Sequence, residues 1–263
     1  MAQISSPVPE SRLRPRLKRH WRDGLGNLFR FLRGTGGLES AFDAMFALAG
    51  PTVEREFDRF AAHPVGRRLL QEVPRRDLNG HLADRKALKA MPEDSFAAAY
   101  LAYMGGDGMG SAEYFLEAAH LEEKAARFGW TEDQCWFVRR MANSHDLFHV
   151  LSGYDRTILG EVGVDAFTAG QIPLLPLKLL LAYLFLLKPS EPVGWVRFVW
   201  RSYRHGKQTP PLMCVDYEDL LPKPLAQVRE EIEMPLLAAI HPEGFPTRGR
   251  KLLAMERGLN QAA

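Results

Sequence analysis

The chain has little of what marks several common protein classes. Its 263 residues include only two cysteines, Cys135 and Cys214, and their spacing matches no metal-binding or redox motif. Two thiols do not make a disulfide framework, so we expect a reducing compartment. The formal net charge is +2, from 34 basic and 32 acidic residues. This near balance does not favour a nucleic-acid-binding protein.

Long apolar runs are also scarce. The most apolar stretch, residues 174–187, is too short to cross a bilayer, which takes about 20 apolar residues. We interpret it as a buried core helix, with the wall of an apolar tunnel or a segment dipping into one leaflet as alternatives. The polar N-terminus lacks the apolar core of a secretory signal, although its many arginines leave a mitochondrial presequence open.

Helical periodicity dominates what the chain does contain. Apolar residues recur at steps of three or four through much of the sequence, and prolines stand at the breaks. The sequence therefore predicts an all-α protein with a metal site on a core helix. We expect a flexible leader and a basic amphipathic helix in 1–34, a single helical domain in 35–245, and a C-terminal tail in 246–263.

Two segments have the composition of a membrane-facing surface. In residues 17–32 the apolar side chains fall at helical intervals, and arginine and lysine occupy other positions. Such a helix can rest on an anionic membrane or pack on its own domain, and the sequence leaves both open. Residues 195–204 interleave aromatic residues with arginines, which favours a membrane interface. Stacking on RNA is the alternative for that segment.

The most informative stretch runs from His145 to His149 and continues to Glu161. If residues 133–151 form one helix, as their apolar pattern allows, His145 and His149 lie one turn apart on the same side. Two histidines at this spacing can bind one divalent cation, and a carboxylate from another segment completes a two-histidine, one-carboxylate face. Glu161 is the natural candidate for that carboxylate, and Asp146 is an additional one.

Other interpretations of this cluster compete. The residues can be solvated without any metal. A zinc protease needs Glu directly after the first His, where this chain has Asp146. A phosphohydrolase with an adjacent His-Asp pair needs further ligands on separate helices, and His120 and Asp165 are candidates that no spacing singles out. It also needs basic residues that converge on the site.

The motif resembles the hallmark of the Coq4 family of coenzyme Q (ubiquinone) biosynthesis proteins, which is His-Asp-x-x-His followed after eleven residues by Glu. Arg140, Gly153 and Gly160 also agree with the family pattern, as do two segments between 215 and 229. The likeness extends over about residues 35–240. The chain departs from the pattern at 141–144, where the family often has a second Arg and a Glu. It departs again at 171–177, where the family has a glycine-rich stretch.

The resemblance implies ubiquinone biosynthesis, by oxidative decarboxylation at ring carbon one of a polyprenylated benzoate, by organisation of the biosynthetic complex, or by both. It implies one divalent ion, zinc or iron, bound by His145, His149 and Glu161. Asp146 would be a fourth ligand or an orienting group beside the metal, and it is the catalytic candidate. A non-catalytic scaffold that binds a prenyl lipid and a phosphohydrolase acting on prenyl phosphates are the alternative functions.

The expected partners follow from the same resemblance. They are polyprenylated quinone precursors, a membrane surface and other enzymes of ubiquinone biosynthesis, with a homodimer left open and no nucleic acid. The implied location is peripheral, on the cytoplasmic face of a bacterial inner membrane, or alternatively on the matrix side of the mitochondrial inner membrane. Arg140, Lys178 and Arg204 are the basic residues that a fold would have to bring to the site for phosphate chemistry. For Arg140 we expect a salt bridge instead.

Overall fold

The computed structural model describes residues 16–105, 120–186 and 192–246. Within these ranges all regular structure is helical, apart from an isolated β-bridge between Ser95 and Pro224. The prediction of an all-α protein with a single helical domain is confirmed. The domain boundaries stay a prediction, because the leader before residue 16 and the tail after residue 246 lie outside the described residues.

Fifteen α-helices and one short 3₁₀ helix account for the regular structure of the described ranges. The helices are α1 (Trp21–Leu32), α2 (Gly37–Ala62), α3 (Pro64–Gln71), α4 (Leu78–Ala83), α5 (Arg85–Lys89), α6 (Phe96–Met104), α7 (Leu121–Arg127), α8 (Glu132–Asn143), α9 (His145–Ser152), α10 (Ile158–Gln171), α11 (Leu175–Leu186), α12 (Pro192–Gln208), the 3₁₀ turn Leu212–Cys214, α13 (Tyr217–Leu220), α14 (Leu225–Glu231) and α15 (Leu237–Ile240).

Among the described residues, the buried apolar side chains form two clusters. One gathers residues of α6, α9, α10, α12 and the C-terminal helices, and the other gathers residues of α2, α7 and α8. Leu180 and Leu181 on α11 pack against both clusters and Leu177 is buried, whereas Lys178 and Ala182 are exposed. Among the described helices, none combines the length and the apolar character needed to cross a bilayer.

Glycines allow α10 and α12 to pack with their backbones in contact. A Cβ added at Gly206 would lie 1.9 Å from the carbonyl oxygen of Phe167, and one at Gly170 would lie 2.3 Å from that of Tyr203. Any larger residue at either position would force the helices apart. This close packing holds α10, the helix that carries Glu161, in a fixed position against the core.

The N-terminal helix begins at Trp21, four residues later than the apolar pattern predicts. It packs on α2 by one face: the His20 backbone N–H donates to the Ala47 carbonyl at 2.7 Å, and Gly24 lies against Leu48. Beside that face, three apolar side chains stay about half exposed, at 50, 49 and 53%. We call these residues the α1 stripe: Trp21, Leu25 and Phe29. The helix thus packs on its own domain and still presents an apolar surface to its surroundings.

Candidate metal centre

The two histidines lie on a short helix of their own. The prediction of one helix over 133–151 is wrong in this respect, because the chain turns at Ser144 between α8 and α9. The Ser144 hydroxyl donates to the Met141 carbonyl at 2.7 Å, which is the local competition through which serine interrupts helices. His145 is therefore the first residue of α9. His149 still follows it by one turn, so the predicted pairing survives the break.

The segment that connects α9 to α10 brings the Glu161 carboxylate to the histidines. Gly153 ends α9 in a left-handed conformation with φ of 86°, which a glycine adopts at no steric cost. Thr157 then caps α10, with its side-chain oxygen accepting from the Gly160 N–H at 3.2 Å. Glu161 lies in the first turn of α10, facing back towards α9. This geometry explains why about a dozen residues separate the second histidine from the glutamate.

The predicted ligands meet in space. One ligand atom from each of His145, His149 and Glu161 can be chosen so that all lie within 4.8 Å of one another. The His149 Nε2 atom lies 3.3 Å from the Glu161 Oε2 atom. Donor atoms on one tetrahedral ion, bound at 2.0–2.1 Å, lie roughly 3.4 Å apart. The spacing therefore fits a single divalent ion after small side-chain adjustments.

The orientation of His149 also fits a cation. Its side chain is buried, and its Nδ1 atom lies 3.1 Å from the Tyr154 carbonyl oxygen, which can only accept a hydrogen bond. Nδ1 therefore carries a hydrogen, and Nε2 is the ring nitrogen that faces Glu161. Two acceptor atoms facing each other at 3.3 Å are stable when a proton or a cation lies between them.

Aromatic and charged groups surround the three ligands. The Tyr103 ring stacks on His149 with centroids 5.0 Å apart. Burial disfavours charge on His145, but the Asp146 hydrogen bond and the charges of Glu161, Asp146 and Asp165 outweigh it and raise its pKa to about 9. Metal binding has to displace that proton. Burial would raise the pKa of Glu161, but contact with His149 and the charges of His149 and His145 lower it.

Asp146 is not one of the three residues whose ligand atoms converge. Its Oδ1 atom lies 3.6 Å from His145 Nδ1, beside the ring rather than across the cluster from it. This placement suits a group that orients His145. Its assignment as a fourth ligand or as the catalytic group stays a prediction.

Asp165 lies near the site, although its spacing in the sequence did not single it out. It follows Glu161 by four residues on α10 and so lies on the same side of that helix. Burial raises its pKa to about 6, with the charge of Glu161 adding to this and His145 opposing it. Its position four residues after Glu161 is the sequence feature that could have identified it. His120, the other residue considered with it, is exposed at the start of α7.

The cations proposed for a phosphate site are engaged or exposed. Arg140 makes two 2.7 Å contacts with the carboxylate of Glu218, and both side chains are buried. The expected salt bridge of Arg140 is therefore confirmed. Lys178 and Arg204 are exposed. The cation whose charge lowers the pKa of Glu161 is Arg156, which donates to the Tyr103 carbonyl at 2.9 Å.

We expect Arg140→Met to destabilise the fold by about 3–5 kcal/mol at neutral pH, because it leaves the buried Glu218 carboxylate unpaired. Burial would raise the pKa of Glu218, but Arg140 lowers it below its ordinary value of 4.5. The stabilisation is therefore present above that pH and is lost as the pH falls through the lowered value. Denaturant unfolding at pH 7 and pH 4 should give a smaller penalty at the lower pH.

The control for that prediction is Arg197→Met. Arg197 forms an exposed pair with Glu243 at 3.0 Å, so its loss should change stability far less than the loss of Arg140 does. Equal penalties for the two variants would show that the Arg140 pair contributes no more than a surface contact.

Known proteins match most of the described chain. Residues 46–237 match the sequence model of the family described as coenzyme Q (ubiquinone) biosynthesis protein Coq4. The ubiquinone biosynthesis protein COQ4 homolog, mitochondrial, of Bos taurus is 28% identical over 198 residues, 72% of this chain and 69% of that protein. The Rattus norvegicus homolog is 27% identical over 66% of this chain and 63% of its own length. The Meyerozyma guilliermondii COQ4 protein is 26% identical over 70% of this chain and 57% of its own length.

A solved structure shares the fold. The crystal structure of a protein from Nostoc punctiforme PCC 73102 superimposes with a TM-score of 0.53 at 21% identity, covering 82% of this chain and 98% of that one. All three ligand residues lie inside the segment that the family model matches, whereas α1 lies before it. Since that segment is well over half of the chain, the protein belongs to the Coq4 family of coenzyme Q (ubiquinone) biosynthesis proteins.

Proposed function

We propose that this protein is a metal-dependent enzyme of ubiquinone biosynthesis that removes the carboxyl group from ring carbon one of a polyprenylated benzoate. The observation that carries the proposal is the convergence of His145, His149 and Glu161 within 4.8 Å. His149 is buried, while the side chains of His145 and Glu161 are 36 and 47% exposed. An ion bound there would keep an open side for substrate, as catalytic sites with three protein ligands do.

The proposed reaction is a two-electron oxidation. The bond from ring carbon one to the carboxyl group breaks, carbon dioxide leaves, water supplies the hydroxyl that takes its place, and dioxygen accepts the two electrons and two protons and becomes hydrogen peroxide. A two-histidine, one-carboxylate face suits iron and dioxygen, and a bound divalent ion of either kind supplies a Lewis acid. The family membership supports the pathway, and the donor set supports a metal at this position.

The chain's own residues would position the substrate. Tyr103 offers an aromatic face beside His149, and Arg156 lies over that ring with its guanidinium carbon 5.6 Å from the centroid. A benzoate ring could stack there with its carboxylate near the cation. Asp146 would hold the His145 ring in place.

Carboxyl-labelled polyprenyl hydroxybenzoate in lipid vesicles under air tests the activity. We expect labelled carbon dioxide and a ring-hydroxylated product from the wild type, and neither from Glu161→Gln. Glu231→Gln is the matched control, since Glu231 is a half-exposed carboxylate paired with Lys223 away from the site. Metal and lipid bound without turnover would support the scaffold function instead, and phosphate release from a prenyl phosphate would support the phosphohydrolase.

We further propose that the protein works on a membrane surface, where a prenyl-tailed substrate resides. The α1 stripe is apolar and flanked by exposed Arg22 and Arg30, as in helices that lie in an anionic interface. Arg33 stacks on Phe29, with its guanidinium carbon 4.0 Å from the ring centroid, and so places another cation at the edge of the α1 stripe. The mitochondrial names of the relatives support the mitochondrial alternative for its location.

A second exposed apolar row lies on α12 and supports the same proposal. Its members Val193, Val196 and Trp200 are spaced by three and four residues, so they share one side of the helix. Contiguous exposed apolar surface of this kind marks a membrane or partner contact more often than a free surface.

A further inference from the structure

A buried polar cluster adjoins the metal centre without belonging to it. The Tyr154 hydroxyl lies 3.4 Å from His205 Nδ1 and 3.1 Å from His241 Nε2. Ser202 adds a contact to His241 Nε2 at 3.2 Å. All four side chains are buried. Polar groups buried this deeply cost stability unless each finds a partner, so the cluster requires an explanation.

The hydrogen positions in the cluster follow from one fixed acceptor. His205 Nε2 lies 3.1 Å from the Pro235 carbonyl oxygen, which can only accept, so Nε2 carries the hydrogen. Burial lowers the pKa of both His205 and His241 to about 4, so both are neutral at pH 7. Neutral His205 then has a bare Nδ1, and the Tyr154 hydroxyl donates to it. The phenol oxygen in turn accepts from His241 Nε2–H.

The same tyrosine supplies the backbone contact of a metal ligand. Its carbonyl oxygen accepts the Nδ1 hydrogen of His149 at 3.1 Å. Its ring packs against Gly163 on α10, where an added Cβ would lie 2.4 Å from Tyr154 Cδ1. The side chain is therefore held from several sides, and its own carbonyl is held with it.

We propose that Tyr154, His205 and His241 form a positioning network that keeps the Tyr154 carbonyl in contact with His149 Nδ1, and so keeps His149 Nε2 directed at the metal centre. The inference rests on the proposed metal site. His241 lies beyond the segment that the family model matches, at residues 46–237, so the network ties the C-terminal end of the described chain to the centre. Groups that fix the tautomer of a metal-binding histidine typically change metal affinity 10- to 100-fold when lost.

Tyr154→Phe tests the network, because it removes the hydroxyl and keeps the ring. In metal-free protein with ¹⁵N-labelled histidines, the wild type should show a hydrogen on His149 Nδ1 in every molecule, whether or not Nε2 also carries one. The variant should show a mixture of tautomers and bind Zn²⁺ roughly 10- to 100-fold more weakly. His241→Leu is the second variant, and it serves as the test if Tyr154→Phe does not fold. It removes the hydrogen-bond donor on the other side of the Tyr154 hydroxyl and should give the same two changes.

Thr209→Val is the matched control. Its hydroxyl is also buried and donates to the His205 carbonyl at 2.9 Å, without contacting the ring of His205 or Tyr154. We expect lower stability with an unchanged tautomer and unchanged Zn²⁺ affinity. An unaltered His149 tautomer in both Tyr154→Phe and His241→Leu overturns the network, whatever the metal affinity does. An altered tautomer in a protein that binds no metal even as wild type would uphold the network and refute the proposed function.

Discussion

Replacing His149 with alanine is expected to lower the affinity for Zn²⁺ or Fe²⁺ by roughly 10²–10³-fold. The estimate follows from structural zinc sites, where about 10–16 kcal/mol of apparent binding free energy is shared among four ligands. His149 is also the ligand whose Nε2 faces Glu161 at 3.3 Å, so its loss removes the middle of the cluster. Competition with a chromophoric chelator measures the affinity, and circular dichroism checks that the helices remain.

His120→Ala provides the comparison for that variant. His120 is exposed at the start of α7 and was a candidate ligand only for a phosphohydrolase-type site. Its replacement should leave the metal affinity unchanged. If both variants lost the ion, or if His149→Ala retained wild-type affinity, the three-residue centre would be the wrong assignment.

The largest effect on membrane association is expected from the α1 stripe. Changing its Trp21, Leu25 and Phe29 together to alanine should reduce partitioning onto anionic vesicles by roughly 10²–10³-fold. Burying a large apolar side chain contributes about 1.5–3 kcal/mol, and side chains that are half exposed can gain only part of that. Co-sedimentation with vesicles that contain about 30% anionic lipid measures the partition coefficient.

Two pairs of control substitutions test whether vesicle binding is specific to the α1 stripe and its flanking charges. Val73→Ala with Leu236→Ala removes exposed apolar side chains outside the stripe, and partitioning should hardly change. Arg22→Glu with Arg30→Glu should weaken binding to anionic vesicles and reduce its dependence on salt. Equal vesicle binding by wild type and the triple variant would mean that the stripe meets a partner other than the membrane.

Local sequence signals were sufficient for much of the architecture and for naming the three residues whose side chains converge. The helical periods gave an all-α chain, and one helical turn from His145 to His149 survives the interruption at Ser144. Gly153 ends the second histidine's helix, since glycine tolerates the φ of 86° found there. Glu161 was the natural carboxylate candidate beside the two histidines, and the family motif has a Glu at the same spacing.

Contacts between distant segments could not be predicted from the sequence. Arg140 and Glu218 are 78 residues apart, and Tyr154 and His241 are 87 apart, so no periodicity links them. The serine that divides the predicted helix acts through its own hydroxyl, and serine occurs inside many uninterrupted helices. The exposure of the α1 stripe could not be predicted either, since an apolar stripe has the same sequence pattern whether or not another helix covers it.

Elemental analysis of the protein as purified from its native source, beside Glu161→Gln prepared in the same way, tests the central claim most directly. We predict about one zinc or iron ion per chain in the wild type, a large loss in the variant, and carbon dioxide release from a polyprenyl hydroxybenzoate only where the ion is retained. A wild-type protein that contains no stoichiometric metal and still releases carbon dioxide would contradict the claim.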